Sequence, residues 1–245
     1  MPTPRYRRVI LKISGESFSG PGEFGIDQQE LGHIAHEIAE AADVGSQVVV
    51  VVGGGNFLRG SALAQRGHIH QSTADYMGML ATIINGLALR EALAGMGRDC
   101  RLMSAIDVPA VGERFIRARA LRHFEKGRLL VLAAGTGNPF FTTDTCAALR
   151  GAELGADILL KATKVDGVYS ADPVTDPNAV RYEKLTFAEA IEQQLGIMDL
   201  TAQTMCMENN LSVIVFDFKT PGNIRRVIAG EDVGTLISNT ASGGG

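Results

Sequence analysis

At 245 residues, with 45% hydrophobic and 20% charged side chains, the chain has the composition of a globular protein able to bury a substantial core. No apolar run reaches the roughly 18 residues that a membrane span requires, which argues against a membrane protein. A formal net charge of −4 and a pI of about 5.8 give no general pull toward nucleic acid or anionic lipid, so any anion must be held by local groups. Met1 to Arg8 carries three arginines and passes straight into strand-like Val9–Ile13 without a small-residue cleavage site, which argues against a signal peptide and for the cytoplasm.

Val9–Ile13 predicts a first strand that empties into Ser14-Gly15-Glu16. Asp27 followed by Glu30 has capping-box spacing, and Leu31, Ile34, Ala35 and Ile38 recur at helical intervals up to Gly45. Val48–Val52 is unbroken valine, as suits a strand buried on both faces of a parallel sheet, and it ends in Gly53-Gly54-Gly55-Asn56. A long helix is predicted over Ser72–Met96, with Met79, Leu80, Ile83, Ile84, Leu87 and Leu93 forming an apolar face broad enough to meet another subunit as well as the core. Further strands are predicted at Arg101–Ser104, Leu129–Ala134, Ile158–Ala162, Ser212–Phe216 and Thr235–Ile237. Helices are predicted at Glu113–Glu125, Thr143–Leu154, Phe187–Gln194, Ala202–Asn209 and Gly222–Ala229. The alternation predicts an α/β/α sandwich with a mainly parallel central sheet. It is read as a single domain over residues 1–240 with a flexible low-complexity tail at 241–245. The longest irregular passage is Gly167–Tyr182, interrupted by Asp172-Pro173 and Asp176-Pro177.

Three widely spaced cysteines, Cys100, Cys146 and Cys206, form neither a C-x-x-C pair nor a zinc spacing and read as buried free thiols. His68-x-His70 reads as a solvated loop rather than a metal site.

The chemistry lies in three glycine-bearing turns, each following a buried strand: Ser14-Gly15, Gly53-Gly54-Gly55 and Gly135-Thr136-Gly137-Asn138. Ligands of open α/β sheets collect outside the carboxyl ends of the strands, and glycine turns bring backbone N–H groups close to phosphate; three on one rim suggest two phosphorylated molecules. The Walker A pattern fails because Ser61 stands where lysine is required. The dinucleotide fingerprint fails because Leu58 occupies the third glycine position. What survives is Lys12 at the end of the first strand beside one glycine turn, with a triple-glycine turn and Arg59 after the second.

Leu11-Lys12-Ile13-Ser14-Gly15-Glu16, with Gly53-Gly54-Gly55-Asn56 and Arg59, resembles the amino-acid kinase superfamily. Gly135 to Asp144, followed by Lys161-Ala162-Thr163-Lys164-Val165-Asp166-Gly167-Val168-Tyr169 and Asp172-Pro173, narrows the resemblance to the bacterial uridylate kinase family. That resemblance implies transfer of the γ-phosphoryl group of ATP to UMP with Mg²⁺, Lys12, Arg59 and Asp172 being catalytic. It implies ATP contacts from Lys12, Ile13, Ser14, Gly15, Gly55, Arg59, Thr163, Tyr169 and Asp172. UMP contacts would come from Gly54, Asp75, Thr136, Gly137, Asn138, Pro139, Phe140, Phe141, Thr142 and Thr143. Asp144 and Asp199 are candidates for orienting lysines or magnesium, helix capping being the alternative for both; the metal ligands themselves are left unassigned. Gly20, Pro21, Gly22, Glu23, Phe24 and Gly25 resemble the segment for an allosteric GTP, a plain Gly-Pro loop being the alternative. A homohexamer activated by GTP and inhibited by UTP is implied as well.

Each residue also has a simpler reading. Lys12 can be a solvated strand end, the triple glycine a tight strand-to-helix turn, Asp75 a charge in a helix first turn, and Tyr169 a packed loop side chain. Rivals for the whole chain are a superfamily kinase acting on a carboxylate or carbamate, such as acetylglutamate or aspartate kinase, and a catalytically silent nucleotide sensor.

Overall fold

The computed structural model describes residues 4–58, 69–173 and 175–240. Arg59 and the 241–245 tail therefore lie outside the described residues. Among those residues nine strands form one sheet in the order β4–β3–β5–β2–β1–β6–β10–β11–β9. In chain order these are β1 Arg8–Ile13, β2 Gln47–Val52, β3 Cys100–Ser104, β4 Glu113–Arg114, β5 Leu129–Ala133, β6 Ile158–Thr163, β9 Lys184–Thr186, β10 Val213–Asp217 and β11 Thr235–Ser238. Two more, β7 Val168–Tyr169 and β8 Arg181–Tyr182, make a separate antiparallel ribbon. From β4 across to β10 every pairing is parallel, and only β11 runs against its neighbour β10. The carboxyl ends of β5, β2, β1, β6 and β10 thus share one rim, with the reversal of strand order at β1.

Among the described residues the α-helices are α1 Gln28–Asp43, α2 Gln71–Gly95, α3 Arg117–Glu125, α4 Thr143–Leu154, α5 Phe187–Glu192, α6 Leu200–Glu208 and α7 Asn223–Ala229. Alternation in the strands divides the core into two layers. Val9, Leu11, Ile13, Val48, Val50 and Val52 pack against α1, α2 and α7. Ile10, Val49 and Val51 face α3, α4, α5 and α6. All five valines of β2 are at most 1% exposed, and each contributes about 1.5 kcal/mol or more by leaving water.

Local signals set the element ends. Asp27 Oδ1 accepts from the N–H groups of Gln29 and Glu30 at 2.8 and 2.9 Å, an N-cap of the ordinary kind, while Glu30 pairs with Lys219 across the molecule. The helix predicted from Glu113 begins instead at Arg117. Glu113 and Arg114 extend the sheet beside Met103 and Ser104, and the Phe115 N–H continues the ladder to Ser104 O at 2.8 Å. The passage expected to be irregular contains β7 and β8 at its two ends, and the three-residue strand β9 was not anticipated.

α2 is, among the described helices, the one long and apolar enough to cross a membrane by length and composition. Its inner face belongs to the core, and it buries a polar pair: Asn85 Nδ2 donates to Gly53 O at 2.8 Å and to Asn56 Oδ1 at 2.7 Å. A buried amide tied into the sheet rim marks a core helix.

Cys100, Cys146 and Cys206 are buried free thiols, and burial pushes them up to about 12, about 11 and about 12. Thiols that resist ionisation to this degree are inert packing groups.

Candidate functional site

Lys12 and Lys161 stand directly opposite one another in the parallel register of β1 and β6, on the face that carries α4. Between them lies Asp144, in the first turn of α4. Lys12 Nζ is 2.9 Å from Asp144 Oδ1, and Lys161 Nζ is 2.7 Å from Asp144 Oδ2. The three side chains are only 12, 13 and 14% exposed for Lys12, Asp144 and Lys161. Oδ1 meets Lys12 as an ion pair without hydrogen-bond alignment, while Lys161 also donates to the carbonyl of Ile197. Burial alone would push the Asp144 carboxyl up, but the two ammonium groups outweigh it and hold it below the ordinary carboxylate range. Burial pushes Lys161 down, and the neighbouring Lys12 charge adds to that against the pull of Asp144. Two cations and one anion leave a net positive charge in a partly dehydrated spot at the rim, where a phosphate is strongly favoured.

Asp199 has a different task. It caps α6 by accepting the Ala202 N–H at 3.0 Å and accepts from the Thr145 hydroxyl at 3.0 Å and from that of Thr142. Thr142 in turn caps α4. Asp199 therefore fixes the start of the helix that carries Asp144. Of the two functions left open for these aspartates, Asp144 sits where lysines are oriented and Asp199 where helices are capped.

On the β2 and β5 side of this cluster opens a cleft of about 330 Å³. Gly54, Gly55, Asp75, Gly135, Thr136, Asn138, Phe140, Phe141, Thr142 and Thr143 are among its walls. Most of the residues expected at UMP thus meet in one place. Gly55, expected at ATP, lines this cleft too. Gly137 packs against Ala105 instead, at φ 84, where an added Cβ would lie 3.1 Å from Ala105 O. Asp75 lies beyond the first turn of α2, so the helix-end reading does not apply. Its Oδ2 accepts the Phe140 N–H at 2.8 Å and anchors the loop across the cleft mouth. Phe140 and Phe141 stand 65% and 51% exposed, and Phe140 has φ 70, so the aromatic pair is held out from the core beside the opening. The amino end of α4, with Thr142 and Thr143, completes the wall and favours negative charge.

On the opposite side, a second cleft of about 600 Å³ is lined by Lys161, Thr163, Tyr169, Asp172, Pro173 and the Gln193–Ile197 turn, with others. The ATP candidates Thr163, Tyr169 and Asp172 therefore share one cavity. β7 of the ribbon forms part of its wall, pinned to β11 where Thr235 Oγ1 accepts the Val168 N–H at 2.9 Å. Tyr169 donates its hydroxyl to Asp166 at 2.6 Å. Lys161 and the Gln193–Ile197 turn were not assigned from the sequence. The signal for Lys161 was a lysine at an inward-facing position of an otherwise buried strand, matched to Lys12.

The glycines divide by physical cause. A Cβ on Gly15 would lie 2.1 Å from Gly55 N, one on Gly53 2.6 Å from Gly15 N, and one on Gly54 2.8 Å from Gly78 O. Those three are required by close backbone approach within the fold, as the tight-turn reading holds. Gly55 differs, because its nearest neighbour would be Glu16 Cγ at 3.5 Å; its bareness opens the cleft wall to a ligand. Ile13 and Ser14 lead into this junction, where Gly53 N–H donates to Ile13 O at 2.8 Å.

The Gly20–Gly25 loop is joined to the same junction. Asn56 Nδ2 donates to Gly25 O at 2.7 Å, Gly25 N–H returns to Asn56 O at 3.1 Å, and Phe24 meets Phe57 edge to face at 5.4 Å.

A parallel sheet whose carboxyl rim carries two adjacent clefts, with a lysine-rich bridge between them, defines a phosphotransferase of the α/β/α class. The chain belongs to the amino acid kinase family, whose family model matches residues 7–217. Among solved structures it is similar to the UMP kinase from Bacillus anthracis, at 39% identity and TM-score 0.93 over 96% of this chain and 97% of that one. It is similar to the UMP kinase from Ureaplasma parvum at 38% identity and TM-score 0.89, over 96% and 99%. The uridylate kinase from Archaeoglobus fulgidus shares 31% identity at TM-score 0.72, over 94% and 99%. The mainly parallel sandwich is the amino-acid kinase fold.

Proposed function

We propose that this chain is a UMP kinase, transferring the γ-phosphoryl group of ATP to UMP to give UDP and ADP. The observation that carries the reading is the Lys12–Asp144–Lys161 bridge between two clefts on one rim. UMP takes the cleft under the Phe140–Phe141 loop, and ATP takes the one bounded by Thr163, Tyr169 and Asp172. Its phosphates run toward Ser14, Gly15 and Gly55. The acceptor is already an anion, so the protein needs little covalent chemistry; alignment and charge neutralisation carry the rate. Lys12 and Lys161 meet the charge that develops on the moving phosphoryl group, Asp144 keeps both ammonium groups in place, and Arg59 supplies a further cation. The carboxylate and carbamate rivals lack a use for the deep cleft beneath Gly135–Thr143, and a silent sensor has no need of the paired lysines.

For magnesium the donor set supports one mode of binding. Among the described residues no group of three or more His, Cys, Asp or Glu side chains is gathered for a metal, and both Asp144 oxygens face lysine. The fit is to an ion carried mainly by phosphate oxygens and water, the usual habit of Mg²⁺, with Asp172 in the second cleft as the carboxylate that would hold it. When bound, the ion neutralises phosphate charge.

The same reading extends to a cytoplasmic homohexamer, activated by GTP and inhibited by UTP. Three inert free thiols suit a reducing compartment. For effectors, the Gly20–Gly25 loop offers a backbone link to the catalytic rim through Asn56. It contributes Glu23 and no lysine or arginine, so it supports transmission of a signal better than the seat of a triphosphate.

The deciding experiment is ADP production with Mg-ATP and UMP, CMP, acetylglutamate or aspartate offered in parallel, with and without GTP. UMP-dependent turnover that exceeds the others is expected; turnover with an amino acid alone, or none with UMP, contradicts the reading.

A further inference from the structure

Thr82 is a mid-helix residue that none of the phosphate-binding motifs includes. It is 6% exposed and forms part of the wall of the first cleft. Its hydroxyl donates to Met79 O, one turn back in α2, at 2.7 Å, and accepts the N–H of Ala134, at the end of β5, at 2.7 Å. Threonines in helices commonly donate to a preceding carbonyl of their own helix; here that bond fixes the hydroxyl so that its lone pairs face the loop.

Ala134 needs that partner. It is wholly buried and has φ 64, a left-handed conformation that a residue with a Cβ adopts at a cost. Gly135 follows at φ 54, and Gly137 N–H closes the turn on Ala134 O at 2.9 Å. The strained step is what turns the chain off β5 and puts Gly135 and Thr136 on the cleft wall. Without a fixed acceptor for the Ala134 N–H, the turn would have a buried donor unmet and a backbone free to relax.

We propose that Thr82 is a positioning residue for the acceptor nucleotide, holding the Ala134–Gly137 turn in its ligand-ready shape before the nucleotide arrives. The proposal rests on reading the first cleft as the UMP seat. A turn ordered in advance spares UMP the cost of ordering it, and nothing in this arrangement touches the ATP cleft. Loss of the hydroxyl therefore raises KM for UMP while kcat and KM for ATP are nearly unchanged.

The test compares wild type, Thr82→Val and Thr82→Ser, with kcat and both KM values measured in each. Valine matches the shape and lacks the hydroxyl; KM for UMP is expected to rise about tenfold (1.4 kcal/mol). Serine keeps the hydroxyl and should stay within about threefold of wild type. A valine variant whose KM for UMP stays within about twofold of wild type, or whose two KM values rise together, overturns the proposal. Should the valine variant not fold, amide hydrogen exchange on the wild-type chain decides. A protected Ala134 amide is expected, and exchange at the rate of an open loop overturns the proposal. A wild-type chain that ignores UMP overturns the reading of the cleft and this proposal with it, whereas an active wild type beside an indifferent valine variant overturns the proposal alone.

Discussion

In the proposed mechanism Lys12 acquires its function through its pairing with Lys161. A lysine at the end of a strand is ordinarily solvated, and Lys12 alone invites that reading. Parallel pairing sets Lys161 beside it, and the first turn of α4 supplies Asp144 between them. Lys12→Ala should therefore lower kcat by a factor on the order of 100 or more while UMP binding is largely kept, because the lost charge serves the transition state. Steady-state kinetics together with UMP titration check this, and near-normal kcat would remove Lys12 from the mechanism. Asp144 carries the pH dependence. Its folded-state pKa is depressed, so its stabilising contribution is present above the unfolded-state value of about 3.9 and disappears as pH falls through the folded value. Asp144→Asn should cost about 3–5 kcal/mol at pH 7 by leaving two largely buried lysines, 12% and 14% exposed, uncompensated. The gap to wild type should shrink below about pH 4. Urea midpoints at pH 7 and pH 3 give the answer, and a gap that does not change with pH contradicts it.

At the scale of elements, β1, β2 and β5 and their glycine turns were legible because a buried parallel strand followed by glycine leaves a local trace in the sequence. Gly53-Gly54-Gly55 shows the limit of that trace, since spacing cannot say which glycine answers to the fold and which to a ligand. Distances separate them: an alanine at 54 would collide with Gly78 O and Ala81 Cβ at 2.8 and 2.9 Å, whereas one at 55 meets nothing closer than 3.5 Å. Gly54→Ala should accordingly destabilise by about 1–3 kcal/mol through overpacking of α2 against the rim. Gly55→Ala should keep wild-type stability and lose activity. Thermal melts paired with the UMP assay distinguish the two, and equal melting losses would return Gly55 to a structural role. Lys161, Thr82, β4 and β9 escaped sequence reading for a common reason. Each depends on a partner brought in by tertiary pairing, such as the alignment of Glu113 with Met103, and a two- or three-residue edge strand leaves no periodicity of its own.

At the scale of the molecule, α2 connects the first cleft with the outside. Its inner face packs on the sheet, while Tyr76, Leu80 and Ile84, spaced four residues apart on one stripe, are 46, 50 and 46% exposed. Contiguous apolar side chains of this size at i, i+4 and i+8 are the pattern of a helix that meets another helix. A second copy of the chain is the partner consistent with the proposed hexamer. Asp75 and Thr82 lie on the same helix and reach into the first cleft, so a partner seated on the stripe would also brace the wall of the proposed UMP site. Leu80→Lys combined with Ile84→Glu places charge on the stripe without entering the core and should shift the assembly toward monomer or a smaller oligomer. Because the cleft wall loses its brace, KM for UMP should rise with the loss of assembly, while the clefts themselves still form in each chain. Light scattering and UMP kinetics on the same samples test both halves of that expectation. An assembly of unchanged mass in the double variant would place the contact elsewhere on the surface.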